Sequence, residues 1–417
     1  MTKKEKLWKL VDDNRMELFQ ICSDLIRIPS IERDGIEEIV KYVCEFLKKL
    51  NIPYEVLRPV DWTPCIVAEL GSEMGKTVVL NGHNDVVAVG DIEKWDYSPF
   101  CGSITDTQIL GRGASDMKCG VGIFLFILKM MVENDIKIKG KIKLHIVHDE
   151  EKGGEKGSKW LAEHGYADDV DFCIITEPTS YDYIEVGQKG SVRLKLKTYG
   201  KPVNGSIINY VGESAIHNMV KILSRIQEIS KIEGNVTKRE KEIIEDSKKV
   251  ICGSMKRDDV GDAIDHVNVN ILNVIGGSGS SITPETCEAY IALGVPFMIT
   301  REMIDDKLNE IIKHADVTCD VEYLRWQNGS RTDVDSELVQ SAKRNAELIT
   351  GRSMYLAYQW ATSDAKYYRQ LGIPAIHFGP ANNKGIHSYN EDVELIDIIK
   401  VVKTHLGVLE DLIGFEF

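Results

Sequence analysis

The stretch Thr77-Val-Val-Leu-Asn-Gly-His83-Asn-Asp85-Val-Val87 decides the fold. Its first five residues form an apolar run of strand length that leads directly into a histidine and an aspartate. Ionisable side chains at the carboxyl end of a buried strand suit an α/β sheet, whose chemistry sits in the loops at those ends. Toward the N-terminus, a helical pattern near Lys4 to Ile28 stops at Pro29, a second near Ile36 to Leu50 stops before Pro53, and a strand follows at Cys65 to Leu70. In the other direction come an apolar helix from about Gly120, an alternating strand at Lys141 to Val147, a helix near Gly157 to His164 and a buried strand at Phe172 to Thr176. Strands separated by helices predict an α/β layer, a mixed but mostly parallel sheet with helices on both faces.

From Gly190 the texture changes. Ser191 to Thr198 alternates like a half-solvated antiparallel strand, helices follow near Glu213 to Ile229 and Lys238 to Lys249, and strands near His266 to Val274 and Cys287 to Ala292. This is the pattern of an inserted α+β unit. The α/β pattern resumes near Glu302, with a strand at Ala375 to Phe378 and a closing helix at Val393 to Ile413. The expected division is a main domain over 1–187 and 301–417, with an insertion over 188–300.

Composition narrows the function. A chain of 417 residues with 43% hydrophobic and 28% charged residues has ample core and is neither a disordered chain nor a disulfide scaffold. The net charge of −14 opposes binding to nucleic acid or to an anionic membrane. Those acids either form a solvated face or converge on cations, and only their positions decide. The nine cysteines are scattered and never spaced C-x-x-C, which points to a reducing compartment. The charged N-terminus lacks the apolar core of a signal peptide, and the longest apolar stretch, Val121 to Val132, is broken by Lys129. A cytoplasmic protein is expected.

Two glycine-rich segments imitate phosphate loops without being them. Gly71 to Thr77 is one residue short of a P-loop and leads into a strand, and Gly111-Arg-Gly113 has Asp116 where a third glycine belongs. Gly276 to Ser281 reads as a flexible crossover. The informative residues are acids and histidines at strand ends. His83 and Asp85 point to one face of an extended backbone, so a carboxylate can orient the ring and strengthen it as a metal ligand. Asp116 precedes the apolar helix, where it either caps the helix or faces a site. Glu150 and Glu151 follow a buried strand after His148-Asp149, a costly run unless some members bind a cation or accept protons. Glu177 ends another apolar strand, and His387 lies in the loop after Ala375 to Phe378. His145, His148 and His377 read as core residues, and Trp95 and Trp360 as either packing or pocket rim.

Taken in order, these segments resemble the M20 metallopeptidase and amidohydrolase family, which contains acetylornithine deacetylase, succinyl-diaminopimelate desuccinylase, aminoacylase-1 and the glutamate-releasing carboxypeptidases. The resemblance runs from Leu25-Ile-Arg-Ile-Pro-Ser30 to Ser363-Asp364-Ala365 and Phe378-Gly-Pro380. It implies a zinc-exopeptidase-like fold whose insertion is a lid and dimerisation domain, so that a homodimer through the lid is expected. It implies two divalent metal ions per chain, zinc first, with cobalt or manganese tolerated by the oxygen-rich donor set. His83 and Glu177 would bind one metal and Glu151 and His387 the other, with Asp116 bridging both. Glu150 would be the general base and Asp85 the partner of His83. The substrate would be a small amide, an N-acyl amino acid or peptide-like molecule. Glu177 resembles the deacylases and carboxypeptidases, whereas the dipeptidases tend to carry aspartate there. A dipeptidase, or a weakly catalytic metal-binding relative with a repurposed lid, is the competing reading.

The lid departs from the family pattern. Asn204 stands where relatives carry a histidine that donates to the oxyanion, Ser281 where they carry asparagine, and Leu293 where they carry arginine. Asn204 can still donate a neutral amide, but without the arginine a bidentate carboxylate clamp is missing. Either the substrate carboxylate is held differently or the substrate lacks one. His217 and His266, the other lid histidines, read as structural.

Overall fold

In the computed structural model, which describes residues 1–31, 34–277, 279 and 281–417, Thr77–His83 is the centre of a nine-stranded mixed sheet. It pairs in parallel with Lys141–Val147 on one side and Phe172–Pro178 on the other, and Ala375–Gly379 extends the parallel block. Cys65–Gly71 and Tyr54–Leu57 add antiparallel strands at one margin. At the other, Tyr183–Gln188 joins antiparallel to Ala375–Gly379 and carries Tyr355–Gln359 and Ser330–Arg331.

Alternate residues of a strand face opposite sides, so a strand covered on both faces must be apolar at every position. Val78 and Leu80 join the large core with residues of the helices Arg15–Arg27, Lys118–Glu133 and Leu395–Ile413, while Val79 packs with Cys173, Ile175, Ala365 and Tyr368 on the other face. The α/β reading of the unbroken Val-Val-Leu run is thus confirmed. Even the polar members of Lys141–Val147 are buried, because Lys143 pairs with Glu69 at 3.2 Å and with Asp169, and His145 Nδ1 lies 2.8 Å from the Tyr368 hydroxyl. The long N-terminal helix expected over Lys4 to Ile28 is two helices, Lys3–Asp13 and Arg15–Arg27, meeting at Asn14.

The second sheet is antiparallel, in the order Asn268–Gly276, Thr286–Val295, Gly190–Tyr199, Cys319–Trp326. Its covered face holds Val192, Leu194, Leu196, Ile291 and Leu293 against the helices Ala215–Leu223 and Arg301–Ala315. Cys319–Trp326, which lies beyond the expected end of the insertion at residue 300, thus belongs to this sheet. The register runs from Thr198 opposite Cys319 to Val192 opposite Trp326. A helix followed by a strand looks the same in sequence whichever sheet receives it. The helix Lys238–Met255, expected inside the insertion, instead packs on the main core through Ile243, Ile244 and Ile251. Burial of each such side chain is worth about 2 kcal/mol, and Ser247 Oγ also accepts the backbone N–H of Tyr358 at 2.7 Å. In the stretch Gly276 to Ser281, residues 278 and 280 lie outside the described residues, and Gly276 ends a strand.

Candidate metal centre

The carboxyl ends of the parallel strands converge. Thr77–His83 delivers His83, Phe172–Pro178 delivers Glu177, and the turn after Lys141–Val147 delivers Glu150 and Glu151. Asp116 comes from the turn before the helix Lys118–Glu133, and His387 from the loop after Ala375–Gly379. His83 Nε2 lies 3.2 Å from Asp116 Oδ1 and 3.8 Å from Glu177 Oε1. His387 Nε2 lies 3.2 Å from Asp116 Oδ2 and 3.2 Å from Glu151. Two groups with the spacing of metal ligands result, His83–Asp116–Glu177 and Asp116–Glu151–His387, sharing Asp116.

The chemistry of this set fits divalent cations. Three carboxylates and two imidazoles crowd together, and the buried Glu177 Oε1 has no hydrogen-bond donor among the described residues. Such burial is costly without positive charge. Burial pushes the carboxyls of Glu150, Glu151 and Glu177 up, aided by Glu177 at Glu150 and by Asp116 at the other two. Burial works against a charged His83, yet Asp116 and Asp85 hold its proton on, and the hydrogen bonds to Asp116 and Glu151 push His387 up to about 10. Without cations, imidazolium protons supply the positive charge that these carboxylates require. Nitrogen and oxygen donors in this mixture suit zinc and equally tolerate other first-row ions.

Distant residues hold the set in place. The Asp85 carboxylate accepts the backbone N–H groups of Glu150 at 3.3 Å and Glu151 at 3.1 Å. The ring of His83 meets the Asp85 backbone carbonyl at 2.9 Å, whereas the carboxylate is 3.5 Å away. Asp85 thus orients His83 mainly through its main chain, because its carboxylate is engaged by the glutamate turn. Glu391, which sequence reading did not single out, is fully buried, and its Oε1 accepts the backbone N–H groups of Gly113, Ser115 and Asp116 at 3.0–3.1 Å. Its Oε2 pairs with Arg112 at 2.5 Å, and the Arg112 guanidinium lies over the Trp95 ring. Trp95 is therefore packing. No local pattern marks Glu391, since its partners lie some 280 residues away in sequence. Asp364 accepts from Ser158 Oγ at 2.6 Å.

A cavity of about 720 Å³ opens over Asp116, Glu150, Glu151, Glu177 and His387, with Trp360 in its wall. The lid contributes Arg193 and Arg325, and the helix Lys238–Met255 contributes Ser254 and Met255. Asn204, expected to touch substrate, does not line this cavity. It is exposed, and its Oδ1 accepts the backbone N–H of Ser206 at 3.0 Å, capping a short 3-10 turn. It lies beyond the strand Gly190–Tyr199, in an isolated bridge to Ile282. Leu293 is buried opposite Val192 in the lid core. His377 is a satisfied core residue, 2.6 Å from Ser363 Oγ and 2.9 Å from Glu185. His148 Nδ1 meets the Pro64 carbonyl at 2.6 Å.

Comparison with known proteins agrees with this geometry. The model of "Peptidase family M20/M25/M40" matches residues 79–411. A succinyl-diaminopimelate desuccinylase of Blochmanniella floridana is 26% identical over 408 residues, covering 95% of this chain and 99% of that protein. An N-formyl-4-amino-5-aminomethyl-2-methylpyrimidine deformylase of Halalkalibacterium halodurans is 25% identical, covering 96% of each. Among solved structures, the M20 family metallo-carboxypeptidase Sso-CP2 from Sulfolobus solfataricus superposes with a TM-score of 0.77 at 20% identity, covering 95% of this chain and 99% of that one. Human carnosine dipeptidase 1 does so with a TM-score of 0.74 at 17% identity, covering 99% of each. The structural likenesses speak for the fold alone.

Proposed function

Because the chain belongs to peptidase family M20/M25/M40 and is a metal-dependent amide hydrolase, we propose that it removes the acyl group from an N-acyl amino acid or a similar small amide, using two divalent cations and Glu150 as general base. The observation that carries this reading is the pair of donor groups sharing Asp116, with Glu150 lining the same cavity but belonging to neither group.

His83, Asp116 and Glu177 would hold one cation and Asp116, Glu151 and His387 the other, with zinc the first choice. When bound, the cations supply Lewis acidity to the scissile carbonyl and to the attacking water. Glu150 takes a proton from that water and returns it to the departing amine. Asp85 keeps the glutamate turn in position through its bonds to the two backbone N–H groups. Lys366, buried and with no hydrogen-bond partner on Nζ among the described residues, lines the cavity and is a cation available to the amino-acid carboxylate.

The names of the sequence relatives, a desuccinylase and a deformylase, support deacylation over dipeptide cleavage. A homodimer through the lid is supported by the edge strand Asn268–Gly276, whose Ile271, Leu272, Val274 and Ile275 are exposed. A reducing, cytoplasmic setting is supported by nine unpaired cysteines. No helix of the described residues is long and apolar enough to cross a membrane.

Glu150→Gln tests the mechanism. Amide hydrolysis should fall by about 10²–10⁴-fold while metal analysis still finds two ions per chain. Hydrolysis at the wild-type rate would reject Glu150 as the base.

A further inference from the structure

In the lid sheet, Arg193 on Gly190–Tyr199 lies directly opposite Arg325 on Cys319–Trp326. Like charges at opposed positions of an antiparallel pair repel each other, so packing within the lid gives no reason for this arrangement. The neighbours Val192 and Leu194 are buried in the lid core, and the register shifts between Arg193 and Leu194. Strand alternation therefore turns Arg193 away from that core, and both arginines line the cavity over Asp116, Glu150 and His387.

Their remaining contacts leave the charges available. Arg193 makes no ion pair or hydrogen bond through its side chain among the described residues. Among the described residues Arg325 has one ionic partner, the half-exposed Glu155 at 3.7 Å, and a hydrogen bond of 3.3 Å from Nη2 to Gln327. Its guanidinium lies against Gly153, with both terminal nitrogens 3.0 Å from where a Cβ on that residue would stand. Gly153 has φ +105 and closes the turn Glu150–Lys152, so the absence of a side chain brings the guanidinium against the turn that carries Glu150 and Glu151. Leu293, where an arginine was expected, faces the lid core instead.

The geometry points to Arg193 and Arg325 as a two-arginine clamp for a carboxylate that the substrate carries away from its scissile amide, which makes dicarboxylic monoamides the preferred substrate class. This rests on the reading that the cavity holds an amide substrate. Two guanidinium forks offer parallel N–H pairs that match a carboxylate bidentately, and bound carboxylate relieves the repulsion between them.

The carboxylate could belong to the acyl group or to the amino-acid side chain, and two matched pairs of substrates separate these sources. N-succinyl-alanine is compared with N-pentanoyl-alanine, and N-acetyl-glutamate with N-acetyl-glutamine, using the metal-loaded full chain, its Arg193→Ala and Arg325→Ala variants, and Arg325→Lys. The wild type should prefer the charged member of at least one pair in kcat/KM. Each alanine variant should reduce that charged-to-neutral ratio by about 10–100-fold, chiefly through KM, with Arg325→Lys intermediate and metal content preserved. Absence of preference in both pairs, or a preference that the variants leave intact, overturns the clamp. Should no amide be hydrolysed, the proposed function fails, and glutarate binding measured by calorimetry then decides the clamp. Binding to the wild type that is lost in both alanine variants supports it, and its absence from the wild type, or its persistence in either variant, overturns it.

Discussion

The ends of the central parallel strands and the lid sheet face the same cavity but are built on opposite terms. At the strand ends, His83, Asp116 and Glu177 are buried, and main-chain donors from elsewhere hold the supporting acids, Asp85 through Glu150 and Glu151 and Glu391 through the Asp116 turn. On the lid, Arg193 is exposed and bonded to nothing among the described residues, and Asn204 serves a local turn. Rigid sheet ends can hold groups to the tolerance that metal binding and proton transfer require. A half-covered antiparallel sheet keeps one face for its own core and leaves the other free to change with the substrate. That contrast fits a donor set that stays together while Asn204, Ser281 and Leu293 depart from the pattern expected of the lid.

The contrast predicts a gradient of effects. Asp116→Ala removes the residue common to both candidate groups and should abolish cation retention and hydrolysis together, measured by metal analysis and amine release. Glu391→Ala comes next, since it strands the buried Arg112 and frees three backbone N–H groups. A loss of about 3–5 kcal/mol in urea unfolding is expected, with cation affinity lowered about 10–100-fold. A mild effect on both would show that the Asp116 turn holds itself.

Cation binding should also release protons. In the cation-free site His387 is pushed up to about 10 and is protonated at neutral pH, and a cation must displace that proton. Apparent affinity should therefore rise with pH up to about 10, and addition of zinc near pH 7.5 to weakly buffered protein should acidify the solution. Proton release should fall in His387→Ala, leaving the share contributed by His83 and the glutamates.

The smallest effects belong to the lid. Leu293→Ala opens a hole in its core and should cost about 2–4 kcal/mol, while Asn204→Ala loses only a cap worth about 1 kcal/mol. Thermal denaturation compares them directly. An Asn204→Ala effect on kcat far beyond its effect on stability would return Asn204 to the active site through a neighbouring chain.

Strand and helix order, the unbroken apolar run before His83, and the acids and histidines at strand ends were legible in the sequence, because periodicity and the cost of burying charge are local properties. The residues that the fold gathers into the two candidate donor groups could therefore be singled out without coordinates. Long-range choices were not legible. Which sheet receives Cys319–Trp326, whether Lys238–Met255 packs on lid or main core, and that Glu391 reaches back to the Asp116 turn all depend on pairings between distant segments. The facing arginines belong to this second class as well. Each is an ordinary charged residue in its own strand, and only the register that sets Arg193 against Arg325 beside Gly153 turns two solvated cations into one positively charged wall of the cavity.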